Sequence, residues 1–258
     1  MWWIVAAISF LSLVVVWTEL AHALDAARRR APRGTWPAWL LWHFDRLFVR
    51  ILHRASFHGI ENLERLDLDR GLIVVANHTA GVDPALVQAA APFEIRWMMW
   101  SAVNKGIAKW LGAGYLRSIV VDQDGRDVRP LREAIRHVRQ GGVLGIFPEG
   151  GIERPPHRIY PFRPGVGLIV SHCRAPVLPV WISGTPYTES AMQSVFRLSR
   201  SRVVFGSPLE FRDDATPDEI ATAIRARLAS LSGWPLENER DRVREHQTRR
   251  PAPDTIPA

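Results

Sequence analysis

The sequence predicts an α/β domain, a mostly parallel sheet flanked by helices, behind an N-terminal membrane-anchoring helical region. From His58 onward, short apolar runs alternate with helical or loop segments, the pattern of strands crossed over by helices. Most of these runs are apolar throughout, as expected of strands covered on both faces. Ahead of them, Met1 to Trp17 carry no charged side chain. With 258 residues, 47% hydrophobic and 23% charged, the chain suffices for one sizeable domain plus an appendage.

The first element is the apolar segment over 1–24, interrupted only by Thr18, Glu19 and His22 after Trp17. At about 1.5 Å per residue it is just long enough to cross a hydrocarbon core of about 30 Å, or to lie obliquely within it. Trp2, Trp3 and Trp17 sit near its two ends, where indole rings favour the interface. A cleaved signal peptide ending at Ala21-His22-Ala23 is the rival reading. Against it, no basic residue precedes the apolar run, and Arg28, Arg29, Arg30 and Arg33 all follow it. An uncleaved anchor is therefore expected, with the rest of the chain on the cytoplasmic side.

Trp36 to Arg54 comes next, with Pro37 suited to a first helical turn. Leu40, Leu41, Phe44, Leu47, Phe48, Ile51 and Leu52 gather on one side at helical spacing. Arg46, Arg50 and Arg54 line the other. This is the pattern of an interfacial amphipathic helix over 36–54, apolar face among acyl chains and arginines toward lipid phosphates. Packing of the same face on the chain's own domain is the alternative.

The main domain is expected over 56–234. Its strands are Leu72 to Ala76, Ser118 to Asp122, Val143 to Phe147, Val177 to Ile182 and Arg202 to Phe205. Helices are predicted at Pro84 to Ala90 and at Val128 to Arg139, the latter closed by Gly141-Gly142. Thr216-Pro217-Asp218-Glu219 combines an N-cap, an N1 proline and a capping-box glutamate before a helix to Leu231. The charged, then proline-rich stretch 235–258 reads as a disordered tail.

Ligands of such sheets gather outside the carboxyl ends of the strands. His78 follows the first predicted strand, Asp122 to Arg126 the second and Glu149 the third, so three polar clusters share that edge. In Asn77-His78-Thr79-Ala80-Gly81-Val82-Asp83, His78 offers a general base and Asp83 a carboxylate to orient it. Five residues on a continuous helix would turn the two side chains about 140° apart, so a turn must intervene. Gly81 permits one, and Asp83-Pro84 then starts a helix as N-cap and N1. Capping alone would also explain Asp83; a carboxylate has acceptor sites enough for both roles.

The formal charge of +7 and a pI near 10.6 suit an anionic partner, whether nucleic acid, membrane surface or phosphate-bearing substrate. No nucleic-acid motif or aromatic-interleaved basic platform accompanies that charge. Cys173, the single cysteine, excludes an intrachain disulfide framework and reads as a buried core residue. No metal is expected, because His78 and Asp83 are joined by no further ligands at a convincing spacing.

Four ordered blocks carry a resemblance. Asn77, His78 and Asp83 match the Asn-His-four residues-Asp block of the glycerolipid acyltransferase superfamily, the lysophosphatidic acid acyltransferases and their relatives. Phe147-Pro148-Glu149-Gly150 matches its third block, Pro161-Phe162-Arg163-Pro164-Gly165 resembles the segment that follows, and Val177-Leu178-Pro179-Val180 is similar to the fourth. The resemblance spans about residues 36 to 210. It implies acyl transfer with His78 as base and Asp83 as its orienting carboxylate. Asn77, Phe147, Pro148, Glu149, Gly150, Arg126 and Arg163 are then expected at the substrate.

The resemblance further implies a fatty acyl chain carried by acyl-CoA or acyl-carrier protein as co-substrate, no cofactor, and a lysophospholipid acceptor drawn from membrane lipids. 1-Acylglycerol-3-phosphate is the commonest acceptor in the superfamily. Two departures matter: Val121-Asp122 is followed by Gln123 where an arginine assigned to the acceptor's phosphate is usual, and Gly151-Ile152-Glu153 replaces a Thr-Arg-Ser. Losing that arginine removes a charge and a bidentate fork. Arg126, Arg154, Arg158 or Arg163 could substitute. Another lysolipid such as a lyso-aminolipid, a lipid hydrolase, or a non-catalytic membrane-binding homologue remain open alternatives.

Overall fold

A computed structural model of the chain describes residues 2, 16–26, 28, 34–101, 117–121, 127–152, 157–188 and 190–237. Helix α1 (Trp36–Leu52) leads into β1 (Ser56–His58), α2 (Glu61–Glu64), β2 (Leu72–Ala76) and α3 (Asp83–Ala90). Next come β3 (Ile95–Trp100), β4 (Ile119–Val121), α4 (Arg129–Arg139) and β5 (Val143–Ile146). The order closes with α5 (Gly165–Cys173), β6 (Val177–Ser183), α6 (Ala191–Phe196), β7 (Arg202–Phe205) and α7 (Pro217–Ser232).

The seven strands form one sheet in the order β1-β7-β6-β2-β5-β3-β4, parallel at every pairing except β6 with β7. β2 lies at its centre between β5 and β6, and all five of its residues are fully buried. Alternation divides them between two cores, because successive side chains of a strand point to opposite faces. Leu72, Val74 and Ala76 pack with Leu86 and Val87 of α3 and with Leu178 and Val180 of β6. Ile73 and Val75 pack with Val138 of α4, Ile169 of α5, and Ile220 and Ile224 of α7. A strand buried on both sides has to be apolar at every position, which is how the run Leu72 to Ala76 reads.

The structure adds β1, α2, β3, α5 and α6 to the predicted elements. β3 has an arginine as its second residue, but Arg96 reaches Glu133 of α4 and so keeps its charge paired. Gly165 and Gly167 disguised α5, whose Val166, Ile169 and Val170 are nevertheless buried. Cys173, expected in the core, ends α5 only half-buried; its burial still pushes the thiol up to about 11. The capping box forms as predicted, with the Thr216 hydroxyl accepting from Glu219 N and Glu219 accepting from Thr216 N.

At the C-terminal end, the expected tail is tied down over its first residues. Ile159 N donates to Pro235 O, Glu237 N to Ile159 O, and Arg158 pairs with the Glu237 carboxylate at 2.6 Å. Residues 238–258 lie outside the described residues. At the other end, 16–26 are helical and mostly exposed, whereas most of the expected anchor, 3–15, also lies outside them. Among the described residues, no helix is long and apolar enough to cross a membrane.

Helix α1 splits its apolar face in two. Phe48 packs against the core, Val49 is fully buried, and Trp42 Nε1 donates to Gln88 O of α3. Leu40, Phe44, Leu47 and Ile51, at i, i+4, i+7 and i+11, are each more than half exposed. The helix thus packs on its own domain through one edge and leaves an apolar stripe open.

Candidate active site

β2 ends at Ala76, and the chain then makes a tight turn over 77–82 before α3 begins. Asn77, expected at the substrate, is fully buried; its Nδ2 donates to Ile182 O at 2.9 Å and its Oδ1 accepts from Ile182 N at 2.7 Å. Both ends of one amide thus bond the backbone of β6 and fix where the turn leaves the sheet. Asn suits this place because it carries a donor and an acceptor side by side.

Asp83 is the first residue of α3 and not its N-cap; Val82 takes the cap position. Its carboxylate points back over the turn instead of along the helix. Oδ2 accepts from His78 Nδ1 at 2.9 Å, Thr79 N at 2.6 Å and Ala80 N at 2.8 Å, while Oδ1 accepts from the Thr79 hydroxyl at 3.0 Å. The turn that lets His78 and Asp83 meet is therefore organised around the carboxylate itself. A carboxylate can only accept, so His78 Nδ1 carries a proton, and in the neutral imidazole Nε2 then keeps its lone pair. Asp83 is completely buried, whereas the His78 side chain is 19% exposed.

Gly81 has a different reason from the turn conformation the sequence suggested. Its φ is not positive; a Cβ there would sit 2.2 Å from Ala191 O, so the site requires the missing side chain. Gly81 N also donates to the Ser194 hydroxyl at 2.8 Å, which pins α6 against the turn.

The third block brings a second layer. Phe147 follows β5, and its ring stacks on the His78 imidazole with centroids 4.1 Å apart and planes 16° from parallel. Trp97 of β3 stacks on the other side of Phe147 at 4.6 Å and 11°. The imidazole is thus held edge-on by Asp83 and face-on by Phe147, two constraints that leave Nε2 one direction. Pro148 is buried, and so is Glu149 at 2% exposure, with Oε2 accepting from Tyr160 N. That burial rules out a solvated loop carboxylate. Gly150 adopts φ +73°, and the Arg163 side chain lies across it where a Cβ would be 2.1 Å from Nε; Arg163 N donates to Pro148 O.

His78, Asp83, Phe147 and, through Phe147, the third block are therefore one assembly. Arg126, with Asp122, Gln123 and Arg154, lies outside the described residues. Arg158 is committed to Glu237. Sequence reasoning missed Thr79, Trp97 and Thr185. The Thr185 hydroxyl donates to Thr79 Oγ1 at 2.7 Å and so stands behind the hydroxyl that serves Asp83. Its place just beyond the carboxyl end of β6 was the available signal. Among the described residues no group of three or more His, Cys, Asp or Glu could hold a metal.

Such a site offers a base whose side chain is partly open to solvent, a fixed tautomer, and a buried carboxylate to stabilise the imidazolium once a proton is taken. This chemistry suits removal of a proton from a hydroxyl nucleophile. The comparisons agree with it. The chain is 25% identical over 189 residues to a 1-acyl-sn-glycerol-3-phosphate acyltransferase of Bacillus subtilis (strain 168), covering 71% of this chain and 90% of that protein. It is 30% identical over 150 residues to the protein Taffazin of Dictyostelium discoideum, covering 52% of this chain and 50% of that one, about half its length. The fold matches the crystal structure of the 1-acyl-sn-glycerophosphate (LPA) acyltransferase PlsC from Thermotoga maritima with a TM-score of 0.59 at 23% identity, over 76% of this chain and 79% of that one. The profile of the family described as Acyltransferase matches residues 54–183, half of the chain with His78, Asp83 and Phe147 inside it, and the chain belongs to that family.

Proposed function

We propose that this acyltransferase moves a fatty acyl chain from a thioester donor, acyl-CoA or acyl-carrier protein, to the free hydroxyl of a lysophospholipid. The observation that carries the reading is the 2.9 Å bond from His78 Nδ1 to a fully buried Asp83, with the His78 side chain itself partly exposed. His78 Nε2 takes the acceptor's hydroxyl proton as that oxygen attacks the thioester carbonyl. The carbon–sulfur bond then breaks, and the imidazolium returns the proton to the departing thiolate. A positioned base contributes ~10²- to 10⁴-fold, and Asp83 stabilises the charge that His78 acquires. No step in this scheme calls for a metal or an organic cofactor.

Phe147 is the shelf for the imidazole, and Asn77 positions the turn from behind. Glu149, with Pro148 and Gly150, continues the block that begins at Phe147, and Arg163, laid over Gly150, is the described arginine we assign to an acceptor phosphate. The name of the Bacillus relative favours 1-acylglycerol-3-phosphate as acceptor. Gln123 favours a second reading, a lysolipid without a phosphomonoester such as a lyso-aminolipid, because an amide replaces the cation usual there. The enzyme works at the cytoplasmic face of a membrane, anchored by 1–24, with the open stripe of α1 lying in the interface.

Membranes containing wild type or His78→Ala, supplied with labelled acyl-CoA or acyl-carrier protein and a panel of lysolipids, test this. Transfer should fall by about 10²- to 10⁴-fold in the variant. Preference for lysophosphatidic acid supports the first acceptor, and preference for a phosphate-free lysolipid makes Gln123 a specificity switch. Transfer indifferent to His78, or fatty acid released without acceptor, removes the proposal.

A further inference from the structure

The segment between β6 and β7 carries exposed apolar side chains that no part of the proposed chemistry uses. Phe196 is 61% exposed and Leu198 69%, with Arg197 between them, and Met192 is exposed one turn earlier. The same segment has an anchored side. Ser194 is fully buried with its hydroxyl accepting from Gly81 N, and Val195 packs against the core. The open side chains are therefore held in place and not merely loose.

Their position joins two regions already described. Ser199 N donates to Leu52 O at the end of α1, and Ser201 N donates to His53 O. The fully buried His53 donates from Nε2 to Val195 O at 3.0 Å and accepts at Nδ1 from the Ser199 hydroxyl at 2.8 Å, since a carbonyl leaves Nε2 no other role. Phe196 and Leu198 thus adjoin the end of α1, where Leu47 and Ile51 are exposed, while Ser194 touches the turn that holds His78. Burial also lowers the proton affinity of His53.

We propose that residues 192–198 are a second membrane-docking element, continuous with the stripe of α1, and that a bilayer seated on both delivers the acceptor beside His78. The charge pattern selects a lipid surface over a second copy of the chain. No carboxylate occurs from Ser190 to Leu209, whereas Arg197, Arg200 and Arg202 are all present and exposed, as are Arg46, Arg50 and Arg54 around α1. Two copies meeting there would juxtapose arginines; an anionic bilayer takes apolar side chains among its acyl groups and arginines at its phosphates. Docking stands on this surface alone; acceptor delivery rests on the function proposed above.

The full-length protein with Cys173→Ser and an environment-sensitive fluorophore at Leu198→Cys, reconstituted in vesicles of zwitterionic and anionic phospholipid with a headgroup nitroxide, tests docking without reference to activity. The nitroxide should quench the Leu198 probe strongly and a probe at Asp213→Cys weakly. Equal quenching at both sites, or shielding of the probe that follows protein concentration in detergent without lipid, overturns docking. The double variant Phe196→Glu/Leu198→Glu tests delivery. Transfer to a long-chain acceptor in vesicles should fall at least about tenfold, because two buried apolar side chains are worth more than one decade of partitioning. Transfer to a short-chain lysolipid dissolved as monomer should stay within about twofold, since the variant leaves the base in place. An equal fall on both acceptors makes these residues part of the catalytic pocket and overturns delivery. Strong quenching in a protein that transfers to neither acceptor would refute the acyl-transfer reading and leave docking intact.

Discussion

The turn after β2 and the helix α1 each withdraw a carboxylate from water, and they treat it in opposite ways. Asp83 is completely buried and accepts four hydrogen bonds, three of them on Oδ2. Asp45, on α1, has a buried Oδ2 with no hydrogen-bond partner, and burial pushes its carboxyl up to about 7. Burying a charge costs heavily unless donors surround it. The turn supplies those donors from its own backbone, so the carboxylate organises the loop that needs it. Helix α1 has its backbone donors committed to itself and supplies none. The same contrast holds for apolar groups: the rings of Trp97, Phe147 and His78 cover one another, whereas Leu40, Phe44, Leu47 and Ile51 are open. One region is complete in isolation; the other has the surface of something meant to be covered.

The largest break in that comparison is Asp83→Asn. An amide oxygen in the place of Oδ2 keeps the bonds from His78, Thr79 N and Ala80 N, and the amide nitrogen can donate to the Thr79 hydroxyl in place of the bond it gave Oδ1. Geometry and tautomer survive, and what disappears is the negative charge facing the imidazolium. Turnover is expected to fall by about 10²- to 10³-fold with little change in KM. Steady-state kinetics beside a far-UV and thermal-melt comparison check this. A variant that melts normally and retains near-full turnover would show that the carboxylate only builds the turn.

A smaller effect sharpens the account of the closed region. Thr185 touches neither His78 nor Asp83, yet its hydroxyl donates to the one that serves Asp83. Thr185→Val removes that donor, and Thr79 Oγ1 loses a partner in a partly buried site. We expect turnover to fall by about three- to tenfold, equivalent to a typical net hydrogen bond of ~1 kcal/mol, with KM unchanged. Thr185→Ser should restore it. Loss in the serine variant beside near-full turnover in the valine variant would assign the effect to packing of the methyl group instead.

How much of this was legible follows the same division. The central strand was plain because burial on both faces leaves only apolar residues, and β2 and β5 read that way throughout. The pairing of His78 with Asp83 was legible as a spacing, but the path of the carboxylate was not. An Asp before Pro at a helix start fits an N-cap, and only the turn's three-dimensional course aims its oxygens at Thr79 and Ala80. Asn77 looked like a ligand because it adjoins His78, although its amide is spent on Ile182, more than a hundred residues away. Thr185 and Trp97 depend on strand order: β6 and β5 both flank β2, and β3 lies one strand further out. The apolar face of α1 was read as a unit, whereas packing against α3 covers one edge and leaves the other open.

The last effect concerns the unsatisfied carboxylate, is read in stability and not in turnover, and has the opposite sign to the others. In the unfolded chain Asp45 ionises near its ordinary 3.8, and in the fold near about 7. Below the lower value both states are protonated and no charge is buried. Between the two, the unfolded state gains its charge first, so stability declines as pH rises, and above the upper value the cost is constant. Asp45→Asn removes the charge but keeps a buried polar group, which has its own desolvation cost. Its advantage should therefore be near zero at about pH 3.5 and grow to a few kcal/mol at about pH 8, or a rise in Tm of several degrees. Thermal melts of both proteins at the two pH values decide it. A difference that does not change with pH would mean that Asp45 finds water or a cation in solution, and α1 would then be no less complete than the catalytic turn.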